Sequence, residues 1–221
     1  MIPVIAIDGP SASGKGTVAQ LAAQRLGFHY LDSGALYRIV ALAARKKNIS
    51  WQDEAALAAM ACNLDICFQN GRILVDGAEV SEPVRTEEMG RGASEVAVHP
   101  AVRRALLELQ HSFRKAPGLV ADGRDMGSVV FPDAPVKIFL TASAETRAER
   151  RYKQLMEKGI HANLPDILQD LQARDARDRQ RPVAPLKQCA DAKLLETSDL
   201  TIEQAVEAVL KHYRDCLAQD S

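Results

Sequence analysis

The stretch that most constrains this chain is Gly9-Pro10-Ser11-Ala12-Ser13-Gly14-Lys15-Gly16-Thr17. An apolar run from Ile2 to Ile7 precedes it, and the residues from Lys15 to about Leu26 have helical spacing. A strand, a glycine-rich turn and a helix, with Gly-x-x-x-x-Gly-Lys across the turn, is the context of a phosphate-binding loop. The turn points successive backbone N–H groups into one concavity, and the helix behind it adds unsatisfied donors and a positive dipole end. Lys15 supplies a point charge for β- and γ-phosphates. The residue after the lysine is Gly16 rather than the Ser or Thr that usually meets magnesium, and the hydroxyl comes one place later, at Thr17.

The spacing of apolar residues predicts an alternating β/α chain. Strands are expected at 2–8, 28–31, 119–122, 136–140 and 193–196, and helices at about 15–26, 36–47, 51–62, 86–97, 100–115, 144–158, 165–179 and 201–217. Ser50 is the expected N-cap of the third helix, and Thr201 with Gln204 forms a capping box for the last. Between them, 64–68, 72–76 and 79–80 read as a small antiparallel meander, with Asn70-Gly71 as a type I′ hairpin turn. Five apolar strands alternating with helices define an α/β fold with a doubly wound parallel sheet. Two stretches, about 36–102 and 146–184, read as insertions carried by a core of 1–35, 103–145 and 185–221.

A chain of 221 residues buries a core without disulfides or metals. Lys and Arg number 28 against 29 Asp and Glu, so no overall field favours nucleic acid or a membrane surface. Cys62, Cys67, Cys189 and Cys216 form no C-x-x-C pair or zinc spacing and read as reduced, mostly buried thiols of a cytoplasmic protein. Neither a signal-like N-terminus nor a membrane-length apolar run is expected. The histidines form no metal or triad constellation.

Phosphoryl transfer requires positioning and neutralisation of spreading negative charge more than a strong base. Arg174, Arg177, Arg179 and Arg181 lie within eight residues, interleaved with Asp175 and Asp178. The segment reads either as a phosphate clamp or as a self-paired solvated helix. Spacing of three or four puts Arg147 and Arg150 or Arg151 on one helix face, a pattern that exposed helices also show. Asp122 ends a strand that can neighbour the loop strand, where a carboxylate either holds magnesium through water or caps a helix. Arg124 and Asp125 either read a substrate or pair with each other.

Taken together, the loop ending Gly14-Lys15-Gly16-Thr17, the stretch Asp32-Ser33-Gly34-Ala35-Leu36-Tyr37-Arg38, Ala121-Asp122-Gly123-Arg124-Asp125-Met126-Gly127, Val130-Phe131-Pro132-Asp133-Ala134-Pro135 and Arg174-Asp175-Ala176-Arg177-Asp178-Arg179 resemble the nucleoside monophosphate kinases. The resemblance is nearest to the bacterial cytidylate kinase branch. It implies that Gly9, Pro10, Ser11, Ala12, Ser13, Gly14, Lys15, Gly16 and Thr17 bind ATP, with Arg147 near its base. Ser33, Arg38, Arg124 and Arg181 would hold the α-phosphate of CMP. Ser94, Arg103 and Asp125 would read the cytosine edge, and Arg174 and Asp178 would reach the ribose. Asp122 would lie at the CMP site and hold magnesium through water, with Thr17 a further magnesium contact. Lys15, Arg124, Arg177 and Arg181 would be the catalytic charges. Residues 36–102 would be the monophosphate-binding insertion and 146–184 a helical lid. The implied reaction is ATP-dependent phosphorylation of CMP, and of dCMP, by a cytoplasmic monomer. The rivals are a kinase for another small acceptor, a regulatory nucleotide switch and an ATPase.

Overall fold

A computed structural model of the protein describes residues 1–69 and 72–219. The chain divides into two compact units, one formed by residues 1–32 with 113–221 and the other by residues 33–112.

The first unit is built on five parallel strands: β1 (Val4–Asp8), β2 (His29–Asp32), β6 (Leu119–Gly123), β7 (Val136–Thr141) and β8 (Lys193–Glu196). Their order across the sheet is β2-β6-β1-β7-β8, so the strand carrying Asp122 does neighbour the loop strand, with Ile7 opposite Asp122 and Asp8 opposite Gly123. Every residue of β1 is buried, as expected of a central parallel strand covered on both faces. Helix α1 (Lys15–Leu26) and the C-terminal helix α8 (Ile202–Gln219) pack together. They do so against a core of Ile5, Ile7, Val120, Val136, Ile138 and Leu140. The expected capping box opens α8: Thr201 N donates to Gln204 Oε1 at 2.9 Å, and Gln204 N to Thr201 Oγ1 at 3.2 Å. Helices α6 (Ala144–Glu157) and α7 (Leu164–Gln180) form an excursion after β7 and pack on one another. A five-residue turn of wide helical pitch, Met126–Val130, follows β6; no periodicity announced it.

The second unit holds α2 (Ser33–Lys46), α3 (Glu54–Ala61), α4 (Glu87–Val96), α5 (Pro100–Ser112) and the antiparallel sheet β3 (Ile66–Gln69), β4 (Arg72–Val75) and β5 (Ala78–Glu79). The expected meander is therefore present, while its Asn70-Gly71 turn lies outside the described residues. Helix α5 ends at Ser112 rather than near 115, and two helix starts are displaced from expectation. Helix α2 begins at Ser33 rather than near Leu36, which puts Ser33 in a helical first turn. Helix α3 is capped by Asp53, whose side chain accepts from Ala56 N at 3.0 Å, not by Ser50. Ser50 Oγ is spent instead on Gln52, and residues 51–52 form a turn. The cysteines also differ from expectation. All four are free, but Cys62 and Cys67 are exposed and the other two half-buried. Cys62 follows the last residue of α3, and Cys67 lies on the solvent side of a strand whose neighbours Ile66 and Phe68 turn inward.

Candidate active site

The phosphate loop leaves the carboxyl end of β1 at Gly9. A Cβ there would come within 1.9 Å of the Leu140 carbonyl oxygen of β7, so only glycine fits. Ala12 takes the left-handed conformation at φ 57°, which costs on the order of 1 kcal/mol for a residue with a Cβ. Gly14 is the N-cap of α1 at φ 89° and offers no side chain. The first-turn N–H groups of α1 are thus not capped by a side chain at that position, as an anion site at a helix N-terminus requires.

Lys15 reaches forward from the first turn of α1. Its Nζ lies 3.5 Å from the Pro10 carbonyl oxygen and 3.9 Å from Asp122 Oδ2. Burial, and then the Arg124 guanidinium, makes its ammonium more acidic than an ordinary lysine's. Asp122 accepts from the Tyr30 hydroxyl at 2.8 Å. Burial and the carboxylate of Asp32, its register partner on β2, push the Asp122 carboxyl well above the usual carboxylate range. Two carboxylates at adjacent strand ends, one already drawn towards a proton, are a place where a hydrated divalent cation relieves repulsion. Among the described residues no cluster of three or more His, Cys, Asp or Glu side chains forms a cation cage. The donor set therefore fits an ion held mainly by water and phosphate. Thr17 is exposed on α1. The Asp32-Ser33-Gly34 motif does not by itself mark the Asp32 carboxylate, which meets Asp122 only through the register of β2 with β6.

Two arginines, Arg124 and Arg147, converge on Ser11. Arg124 donates from Nη2 to Ser11 Oγ at 2.7 Å, from Nη1 to the Gly123 carbonyl at 3.1 Å, and from Nε to Asp178 Oδ2 at 2.8 Å. Burial works against its charge, and Asp178, helped by Asp122 and Asp175, more than restores it. Arg147 donates from Nη1 to the Ser11 carbonyl at 3.0 Å, from Nε to the Ala142 carbonyl at 3.0 Å and from Nη2 to Asp175 at 2.6 Å. Arg150 donates to the carbonyl oxygens of Ser13 and Thr197. A cavity of about 470 Å³ adjoins Arg147, walled by Thr141, Ala142, Gln172, Ala176 and Arg179.

The arginine-rich segment is the second half of α7 and is not a solvated face. Arg174, Asp175, Asp178 and Arg181 are buried, and only Arg179 of its arginines is exposed. Arg181 Nη2 lies 3.8 Å from Asp125 Oδ1, so Arg124 and Asp125 each meet a charge of this segment. The buried Nη1 of Arg177 has no hydrogen-bond partner among the described residues, which suits a group kept for a ligand oxygen.

Four of the expected acceptor-site residues belong to the second unit. Ser33 donates from Oγ to Gln110 Oε1 at 2.9 Å. Arg38 Nη1 donates to the carbonyl oxygens of Val84 and Thr86, each at 3.1 Å. Arg103 donates to the Ala97 carbonyl at 3.2 Å, and its guanidinium lies 5.5 Å from the centre of the Tyr37 ring. Ser94 lies on α4, half-buried. Tyr37 and Gln110 are support residues that spacing alone did not mark.

A model of the cytidylate kinase family matches residues 5–215. A cytidylate kinase of Polynucleobacter asymbioticus is 61% identical over 217 residues, covering 98% of this chain and 99% of the relative. A cytidylate kinase of Chromobacterium violaceum is 61% identical over 214 residues, covering 97% and 96%. Among solved structures, a gluconokinase from Sinorhizobium meliloti matches with a TM-score of 0.50 at 13% identity, covering 100% of this chain and 98% of that one. An uncharacterised protein from Eubacterium ventriosum matches at 0.53 and 12% identity, covering 97% and 99%. These two likenesses extend to the fold alone.

Proposed function

The chain belongs to the cytidylate kinase family, and from that premise we propose that it transfers the γ-phosphoryl group of ATP to CMP and to dCMP. The observation that carries the reading is the set of cations around one phosphate loop: Lys15 against the Pro10 carbonyl, Arg124 and Arg147 bonded to Ser11, and Arg150 bonded to the Ser13 carbonyl. An α-phosphate oxygen of CMP attacks the γ-phosphorus of ATP; the new P–O bond forms as the bond to the β–γ bridging oxygen breaks, and ADP leaves. That oxygen is already ionised, so no general base is needed. The work of the chain is to align the two phosphates and stabilise charge on the oxygens between them.

In this reading Gly9 to Thr17 wrap the ATP phosphates, Lys15 carries charge for the β- and γ-oxygens, and Arg147 lies near the base. Arg124, Arg177 and Arg181 hold the oxygens between donor and acceptor. Ser33 and Arg38 join Arg124 and Arg181 on the CMP phosphate; Ser94, Arg103 and Asp125 read cytosine, where a carboxylate accepts from the N4 amine. Arg174 and Asp178 take the ribose. Asp122 and Asp32, with the Thr17 hydroxyl, would hold magnesium through water, and the ion would supply charge neutralisation across the β- and γ-phosphates. Residues 146–184 act as a lid, folding arginines over the phosphates and excluding water that would otherwise accept the phosphoryl group. Residues 36–102 form the monophosphate-binding insertion. A cytoplasmic monomer is the proposed working form; the free cysteines suit a reducing compartment.

The test is a coupled ADP-release assay with MgATP and a panel of CMP, dCMP, UMP, AMP, GMP and shikimate. Saturable stimulation by CMP and dCMP is expected. Stimulation by another acceptor would keep the phosphate loop and discard the base-reading residues; silence across the panel with ATP still bound would move the chain to a switch or ATPase.

A further inference from the structure

We infer that Asp8 is a positioning residue for acceptor recognition, holding the Arg124–Asp125 segment in place from the strand that feeds the phosphate loop. Asp8 is the last residue of β1 and adjoins Gly9. Both of its carboxylate oxygens are engaged: Oδ1 accepts from Met126 N at 2.8 Å and Oδ2 from Gly127 N at 2.9 Å. Its backbone, meanwhile, is in register with Gly123 on β6. The segment is thus fastened on both sides of Arg124 and Asp125, by the strand ladder at Gly123 and by the Asp8 carboxylate at Met126 and Gly127. What remains between the two fastenings is the pair of residues that meets Asp178 and Arg181.

The arrangement has features that a strand end does not need for folding alone. Asp8 is only 6% exposed, and burying a carboxylate is costly even when hydrogen bonds offset part of the loss. Two charge-assisted bonds to consecutive amides define an orientation that a single neutral acceptor cannot. The segment is also backed from the other side. A Cβ at Gly127 would come within 3.1 Å of Lys137 Cδ and 3.5 Å of Asp8 Oδ2, and Lys137 is itself held by a 2.6 Å bond from Nζ to Asp191. The Gly127 backbone is therefore enclosed between the Asp8 carboxylate and the Lys137 stem. Displacement of a recognition group by about 1 Å suffices to change rates by about a hundredfold, so such bracing has kinetic consequences.

The inference rests on the reading that Arg124 and Asp125 face CMP. The experiment compares full-length wild type, Asp8→Asn and Asp125→Ala, measuring kcat and KM for CMP and UMP and KM for ATP. An asparagine amide keeps one acceptor but sets its own donor against the second N–H. Asp8→Asn is expected to raise KM for CMP at least about tenfold and to lower the preference for CMP over UMP by a similar factor, while KM for ATP stays within about twofold. An unchanged CMP preference in Asp8→Asn, with the preference lost in Asp125→Ala, overturns the role of Asp8 alone. An unchanged preference in both overturns the site reading beneath it. Equal loss for CMP and ATP in Asp8→Asn makes Asp8 a general structural residue and also overturns the inference. Should Asp8→Asn fail to fold, amide hydrogen exchange at Met126 and Gly127 in the wild type decides. Protection well beyond that of the neighbouring loop amides supports the bracing; free exchange at both overturns it.

Discussion

Asp175 on α7 accepts a 2.6 Å hydrogen bond from Nη2 of Arg147 on α6, and both side chains are almost wholly withdrawn from solvent. The same guanidinium reaches the Ser11 carbonyl, so a single buried pair joins the two excursion helices to the phosphate loop. Removing one partner strands the other charge in a dry site. Asp175→Ala is expected to lower unfolding free energy by about 3 kcal/mol. Replacing both, as Arg147→Met with Asp175→Leu, is expected to recover most of that loss in urea melts while KM for ATP stays raised. Recovery of stability together with normal ATP kinetics would show that Arg147 has no part in nucleotide binding.

Lys15 is the charge at the floor of the loop, with Asp122 3.9 Å away. Lys15→Ala is expected to leave the far-ultraviolet circular dichroism unchanged and to lower kcat at least about a hundredfold, as loss of a group that meets developing charge does. Retention of most activity would remove the loop from the reaction.

Asp125 is buried and faces Arg181 at 3.8 Å. If it reads the cytosine amine, Asp125→Ala should cost CMP at least about tenfold in kcat/KM relative to UMP, with ATP affinity little changed. An equal loss for both nucleotides would make its contact with Arg181 its main duty.

Much of the fold was legible because its signals are local. The Gly-x-x-x-x-Gly-Lys spacing, the short apolar runs, the helical spacings and the capping box each depend on residues a few places apart, and each is present in the structure, with the starts of α2 and α3 displaced. The site was legible as motifs but not as partnerships. Asp8 meets Met126 across 118 positions, Arg147 meets Asp175 across 28, and Asp32 sits beside Asp122 only because the sheet order places β2 next to β6. Strand order is set by crossover packing, which no window of sequence contains. The Ser50 cap failed because Ser, Asp and turn residues compete over three positions, and the side chain that reached an unpaired helix N–H was that of Asp53. Cys62 and Cys67 show the limit of composition: cysteine is commonly buried, yet strand alternation turned Cys67 outward.

In the second unit Gly92 of α4 has no room for a side chain. A Cβ there would lie 2.7 Å from Trp51 Cζ2 and 2.9 Å from Ala41 Cβ of α2. Trp51 is anchored by a 3.0 Å bond from Nε1 to the Ala41 carbonyl, so it cannot swing away without losing that bond. Gly92→Ala is expected to destabilise the chain by about 1–3 kcal/mol. Because Trp51 is the sole tryptophan, its fluorescence reports the transition directly, and an unshifted melt would show that α4 moves aside freely.

Asp8 also has a signature in equilibrium stability. Burial raises its carboxyl from the ordinary 3.8 to about 6, against the lowering effect of its bonds from Gly127 and Met126. The native state therefore binds the Asp8 proton more tightly than the unfolded chain does. The stability this confers is fully present below about pH 4 and is lost as pH rises through about 6, by linkage. A shift of this size corresponds to a few kcal/mol, about 3 at most. Other carboxylates work in the opposite sense, such as Asp191, whose bond from Lys137 lowers its pKa, so total stability is the wrong quantity to follow. The difference between wild type and Asp8→Asn isolates the group. Urea melts of both proteins at intervals from pH 4.5 to 7.5 are expected to show wild type losing ground to the variant as pH rises, with the change centred between pH 4 and 6. A difference that stays flat would mean that the carboxyl titrates alike in the folded and unfolded chain, and that the two amide bonds fully offset its burial.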